Sequence, residues 1–222
     1  PSIASAASGE LTGSMTKGSG YTNVDLTSLG DVDWAVWGYS SSGHSTSLSP
    51  DESMAGGSGI SDLTNIDPDE DDALRGLGYL GINHTFNWSN GTNISIATGA
   101  NAGLQHNVNA TYKTGDGFSF TVPADMAKRR LIVYTAVHFG IGELTATLSD
   151  GSAAQISLDQ NSETAGNDPS RFIIDYFAGS DGQTLTINFV TTWNHNDGNG
   201  NVQIYAAALS DYHTATININ KD

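Results

Sequence analysis

From residue 117 onward apolar and polar side chains alternate with a period of two, the pattern of half-buried strands. In "GFSFTV" the apolar positions are Phe118, Phe120 and Val122, and Pro123 is expected to end the strand. "RLIVYTAVHF", residues 130 to 139, is instead a continuous β-branched and aromatic run, which predicts a strand covered on both sides. "ELTATLSDGSAAQISL" alternates Leu144, Ala146 and Leu148 with hydroxyl residues, then offers Asp150-Gly151, a pair that tolerates the positive φ of a tight hairpin turn. "RFIIDYFAGSDGQTLTINFV" repeats that design around Asp181-Gly182. "NVQIYAAALS" returns after a Gly- and Asn-rich loop, and "TATININ" (214 to 220) reads as a last strand or a tail.

The first half is less regular. Residues 1–20 are expected to be an irregular N-terminal segment, and "YTNVDLTSLG" and "DWAVWGY" to be two strands separated by a turn at Gly30. Residues 40–72, rich in Ser, Gly and Asp, predict a long surface loop or pair of loops. "DEDDALRGLG" suits one short helical turn, its acids at the N-terminal end where the backbone dipole favours them. "HTFNWSNGTNISIAT" predicts a hairpin turning at Asn90-Gly91, and "HNVNATYKT" another strand. About ten strands with little helix predict an all-β chain, an antiparallel β-sandwich of the jelly-roll or galactose-binding kind. The length, 222 residues, suits one such domain spanning 1–222.

Composition narrows the partners. The formal charge is −16, carried by 19 Asp and five Glu against eight Lys and Arg. Such a field repels phosphate backbones and anionic headgroups, so nucleic acid and membrane surfaces are not expected partners. Lys128-Arg129-Arg130, the only basic cluster, is too short to alter this. No apolar run approaches the roughly 20 residues that a membrane-crossing helix needs. With no cysteine there is no disulfide, thiolate nucleophile or Cys-based zinc site. "PSIASAASGE" has small residues and no basic region, which reads as a mature N-terminus after processing or as a trimmed one. The acidic, Lys-poor balance suits a secreted or cell-surface protein in salty water, with dissolved calcium available to Asp-rich loops.

Five blocks occur in a set order: "VDLTSLGDVDWAVWGY", "FNWSNGT", "GFSFTVPAD", "LTATLSDGSA" and "GNVQIYAAALS". In these, over about residues 24 to 210, the chain resembles a family of bacterial extracellular β-sandwich modules with Asp-Trp-Ala-x-Trp-Gly and Leu-Thr-Ala-Thr-Leu-Ser-Asp-Gly blocks. These are carbohydrate-binding-module-like and often attached to secreted polysaccharide-active enzymes. The resemblance implies a sandwich and association with carbohydrate, not an activity, and it transfers no ligand residues. Val36 stands where the family often has His, and 40–72 is individual to this chain.

The aromatics decide where a ligand is sought. Residues three apart on a strand face opposite ways, so Trp34 and Trp37 cannot form one platform without a bulge and are assigned to the core, with Trp88. Trp193 opens "WNHNDGNGN", read as a loop in which Asn194, His195, Asn196 and Asp197 crowd an aromatic ring, as sugar binding requires; the alternative is a ring folded back as a lid. His44, His84 and His138 are possible neighbours that sequence does not place.

Asp67, Asp69, Asp71 and Asp72 alternate like the start of a calcium loop, although Ala73 and Gly78 break the EF-hand template; the alternative is a solvated acidic loop. "NHNDGNGN" is a weaker oxygen-rich candidate for the same ion. No serine elbow, distinguished carboxylate pair or zinc motif marks an enzyme. Sequons at Asn83, Asn87, Asn90, Asn93 and Asn109 match a pattern that Asn- and Thr-rich strands also produce by chance. The expected function is a non-catalytic carbohydrate-binding module with structural calcium. Its rival is a subunit of a surface layer, adhesin or filament that assembles with copies of itself through its sheet edges.

Overall fold

A computed structural model describes residues 8–39, 45–68, 70, 73–77, 84–107, 114–194 and 200–213. Fourteen strands and one helical turn follow in the order β1 Glu10–Lys17, β2 Val24–Asp25, α1 Leu26–Leu29, β3 Asp33–Val36, β4 Glu52–Ser53, β5 Thr64–Ile66, β6 Ala73–Gly76, β7 Thr85–Trp88, β8 Ala97–Asn101, β9 Leu104–Asn107, β10 Gly117–Ala124, β11 Arg129–Leu148, β12 Ile156–Phe177, β13 Gln183–Asn194 and β14 Asn201–Asp211. Apart from the short parallel pair β2 and β7, every pairing is antiparallel. Among the described residues no helix is long and apolar enough to cross a membrane.

The sandwich is one ladder folded at a corner. The first half of β11, Arg129 to His138, lies between β12 and β14, whereas its second half, Gly140 to Leu148, lies between β12 and β13. The change falls at Phe139, which adopts φ +47° where the register with β12 shifts. Left-handed backbone is rare for a bulky residue and marks where the strand must turn from one layer to the other. The result is a middle sheet, β1-β12-β11-β14 with β3-β4 and β9-β6 beyond it, facing a second sheet, β12-β11-β13-β10-β5.

Between these sheets Leu131, Val133 and Val137 meet Phe118, Phe120, Leu185 and Ile187 in one core. A second core lies on the far side of the middle sheet, where β2-β7-β8 and α1 cover Ile132, Tyr134, Ala206 and Ala208. The central strands of the middle sheet, β14 and the first half of β11, are therefore buried on both sides over most of their length, which is why "RLIVYTAVHF" and "NVQIYAAALS" show no alternation. β3 shows what this does to the tryptophans. Trp34 and Trp37, both fully buried, project into different cores, Trp34 beside Trp88 at 5.5 Å and Trp37 beside Phe120 at 5.8 Å. Ala208 pairs with Trp34, and Ala206 and Ala207 pair with the neighbouring Val36 and Ala35, so β14 presents small side chains beside the indoles. In β14 a bulge at Tyr205 puts Tyr205 and Ala206 into the same core in succession.

Several expectations are corrected. Residues 10–17 are not irregular but form β1, which pairs along its whole length with β12. "VDLTSLG" is mostly the turn α1, because the Asp25 carboxylate accepts from Ser28 N at its start and so caps a helix. "ALRG" is strand β6 against β9 rather than a helical turn, since pairing outweighs a weak local preference. Pro123 does not end β10: Thr121 N faces Ser61, away from β13, so by the period of two the Pro123 nitrogen also faces the open side and no ladder bond is lost. Asp150-Gly151 does turn the β11–β12 hairpin, with Gly151 at φ +62°, though the connection runs on to Ile156. Asp181-Gly182 does not close a hairpin, because β12 pairs with β1 and β11 while β13 pairs with β10 and β11, so this connection passes from one layer to the other. Asn90-Gly91 lies inside a longer β7–β8 connection, since Trp88 pairs with Ala97. Among the described residues of 40–72, β4 and β5 are short strands in otherwise irregular chain; 40–44, 69, 71–72 and 214–220 lie outside the described residues.

Polar side chains fasten the irregular parts. The Asn90 amide oxygen accepts both Trp34 Nε1–H (2.9 Å) and the Thr27 hydroxyl (3.1 Å), tying α1 and β3 to the β7–β8 connection. Asn87 is likewise engaged, its amide donating to Asn23 O (3.3 Å) and its oxygen accepting from Gly99 N (2.7 Å), so two of the sequon residues serve the fold. Buried Asp33 accepts from the amides of Gly59, Ile60 and Trp34, and buried Glu52 from those of Asn93 and Ile94. Burial raises the Asp33 pKa while those backbone donors pull it back.

We expect Asn90→Ala to cost about 1–3 kcal/mol, because the buried indole N–H is left without an acceptor, and Asn90→Asp to cost less. Urea unfolding monitored by tryptophan fluorescence checks both. His84 yields a pH prediction. Its ring is fully buried, stacked on Tyr21 at 5.4 Å and edge-to-face with Tyr205 at 4.6 Å. Nε2–H donates to Thr135 O at 3.0 Å, since a carbonyl can only accept. Burial lowers its pKa from 6.5 to about 4, with the carbonyl contact opposing. The unfolded chain then binds a proton that the folded one refuses, so stability is full above pH 6.5 and falls as pH drops toward 4, by up to about 3 kcal/mol. Relative to His84→Phe, the native chain should lose that much between pH 7 and pH 4; parallel urea curves for the two would contradict it.

Candidate ligand-binding face

The end of β13 sorts the expected ligand residues. Leu185, Ile187 and Phe189 face the inner core and Thr191 follows them inward, fully buried. Gly142 then pairs with Thr191 and Ile141 with Trp193, so Thr192 is an extra residue in a bulge. That shift turns Trp193 to the outer face beside Ile141, 37% exposed, and turns Asn194 inward with no exposure. Two glycines make room. A Cβ on Gly140 would lie 2.5 Å from Trp193 O, and one on Gly200 would lie 2.2 Å from Asn194 Oδ1.

Trp193 and Asn194 are thus strand residues on opposite faces, not neighbours in a loop. Sequence reading missed this because a bulge cannot be seen without its partner strand. His195, Asn196 and Asp197 lie outside the described residues.

The face that Trp193 joins is the outer side of the second sheet. There Ser157, Thr145, Asn188 and Ser119 stand in one cross-strand row, and Thr147, Thr186 and Thr121 in the next. Strand geometry spaces neighbours about 4.8 Å across the sheet and same-face residues about 7 Å along it, which makes a regular grid of hydroxyl and amide groups. Asn188 Nδ2 donates to Thr145 Oγ1 (3.4 Å), and Thr147 Oγ1 to Gln155 Oε1 (3.0 Å). Glu143 and Asp159 are directly opposed across β11 and β12, with the Ser157 hydroxyl donating to Glu143. This corner of the face is negative, so it disfavours anions. The alternation of these strands is legible in sequence, but their side-by-side order joins residues up to 69 positions apart and is not.

A buried amide network is centred on β14 of the middle sheet. Gln203 Nε2 donates to Asn167 Oδ1 (2.8 Å) and Asn201 Oδ1 (2.7 Å), and its oxygen accepts the Tyr205 hydroxyl. Thr135 Oγ1 donates to Gln160 Oε1 at 2.7 Å. Buried amides paired in this way fix the end of the middle sheet.

The other candidates disperse. His84 is a core residue, His138 is half-buried with its ring 4.4 Å from Phe139, and His44 lies outside the described residues. Asp67 Oδ1 accepts from Glu70 N (3.0 Å) in a local turn, while Asp69, Asp71 and Asp72 lie outside the described residues. Among the described residues no group of three or more His, Asp or Glu is placed to hold a metal.

No family model matches the chain, and no curated protein sequence matches it. By structure it is similar to TmCBM61, solved in complex with β-1,4-galactotriose, at a TM-score of 0.33 and 10% sequence identity, covering 69% of this chain and 88% of that one. The similarity is one of distant layout and assigns neither a ligand nor a residue here.

Proposed function

We propose that this chain is a non-catalytic carbohydrate-binding module that lays an extended, neutral polysaccharide across the outer face of its second sheet. The observation that carries the reading is Trp193, a large ring on the outer side at the end of a hydroxyl and amide grid. Sugar C–H faces pack on an aromatic ring while sugar hydroxyls exchange hydrogen bonds with side chains such as Asn188 and Thr145. The net charge of −16 and the opposed Glu143 and Asp159 select against acidic polymers. A structural calcium ion at the Asp67 to Asp72 run, and an extracellular or cell-surface setting, belong to the same proposal and rest on composition.

Affinity-gel electrophoresis through neutral polysaccharides tests it. The intact chain should be retarded by at least one, and Trp193→Ala should weaken retardation about tenfold or more, equivalent to ~1.4 kcal/mol. Asn194→Ala is the control. Its amide is buried, so it should lower the thermal unfolding midpoint and leave binding intact, whereas Trp193→Ala should barely move the midpoint. Absence of retardation by every polymer, or equal retardation of the intact and Trp193→Ala chains, would overturn the reading.

A further inference from the structure

A second polar row lies at the opposite end of β11, on the other exposed surface of the fold. Thr12, Asp175, Arg130 and Ser210 are consecutive cross-strand partners on the middle sheet, where α1 stops covering it. Beside them runs an apolar strip of Ile173 and Ile132. Two hollows open here and share Arg130. One, of about 270 Å³, is lined by Thr12, Ser14, Ile173 and Asp175; the other, of about 190 Å³, by Leu29, Asp31, Ser210 and His213. Both are smaller than the roughly 300–1,000 Å³ of pockets for drug-sized ligands, so each takes a single small unit.

The polar groups are held in place beforehand. Arg130 Nε and Nη2 donate to the two Asp175 oxygens at 2.7 and 2.8 Å, and the guanidinium lies 5.1 Å from the Tyr212 ring. That fork uses two of the N–H donors and leaves the others in the same plane. Tyr212 is fixed by its amide on Lys128 O (3.1 Å), and His213 by Asp31 (2.6 Å). Groups already ordered lose little freedom when a ligand arrives.

Charge selects the ligand class. Arg130 and Lys128 are outnumbered by Asp175, Asp31, Asp211 and Glu10, so an anion is disfavoured despite the arginine. A planar donor and acceptor pair, flanking hydroxyls and an apolar strip together match a neutral polyhydroxylated ring, with vicinal hydroxyls toward the fork and C–H groups toward Ile173 and Ile132. From the register of β11, we infer that this cleft is a second saccharide site, separated from Trp193 by about half the length of that strand, since Trp193 pairs with Ile141. It does not depend on the first site being correct.

Amide chemical-shift titration of the full chain with neutral galacto-, gluco-, manno- and xylo-oligosaccharides tests it. At least one sugar should move the signals of residues 12–14, 130, 173–175 and 210–213 saturably, and should do so equally in Trp193→Ala. Ser14→Arg, at an exposed position, fills the first hollow, and Arg130→Lys keeps the charge but loses the fork. Each should weaken that titration tenfold or more while the spectrum stays folded. Absence of saturable shifts at those residues, or titrations unchanged in both variants, would overturn the inference. Shifts at those residues with none around Trp193 in the intact chain would overturn only the proposed function.

Discussion

The fold depends on one constraint: the centre of the middle sheet, above all β14, must be dry on both sides. β14 is apolar from Ile204 to Leu209 apart from the Tyr205 hydroxyl, and neither of its faces can meet water without losing a core. One face is covered by the second sheet and the other by β2-β7-β8 with α1. Burying a large aromatic side chain contributes about 1.5–3 kcal/mol. With Trp34, Tyr134 and Phe86 in one core and Trp37, Phe118 and Phe189 in the other, both coverings are required.

That constraint leaves the second sheet with only one buried face. Its outer face alternates freely, and because β10 to β13 carry Thr, Ser and Asn there, it is polar and poor in cations. The bend at Phe139 and the bulge at Thr192 then determine which side chains reach it. Without the bulge, the period of two would send Trp193 inward and Asn194 outward. The exposed ring follows from a backbone irregularity, not from its position in a loop.

Acidic residues divide by environment. Asp33 and Glu52 are buried and saturated by backbone amides, so they act as fasteners for chain without regular structure, where nothing else would satisfy those N–H groups. Asp175 and Asp31 are partly exposed and hold Arg130 and His213 in place, which shapes a cleft instead of a loop.

The sequence by itself determined that "GFSFTV", "RLIVYTAVHF", "LTATL", "RFIIDYF", "TLTINFV" and "VQIYAAAL" are strands, along with the turn at Asp150-Gly151 and the burial of Trp34, Trp37 and Trp88. These follow from local periodicity and from the cost of exposing an indole, and need no knowledge of neighbours. Much less of the binding face was legible: Trp193 could be named, but its direction depends on a bulge against β11, and the polar rows beside it depend on which strands lie together. β1 was missed because its own residues are mostly exposed, and it is a strand only through pairing with β12. Only the tertiary structure decided these points, because hydrogen-bond register between distant segments sets which side chains share a face, and no local pattern carries that information.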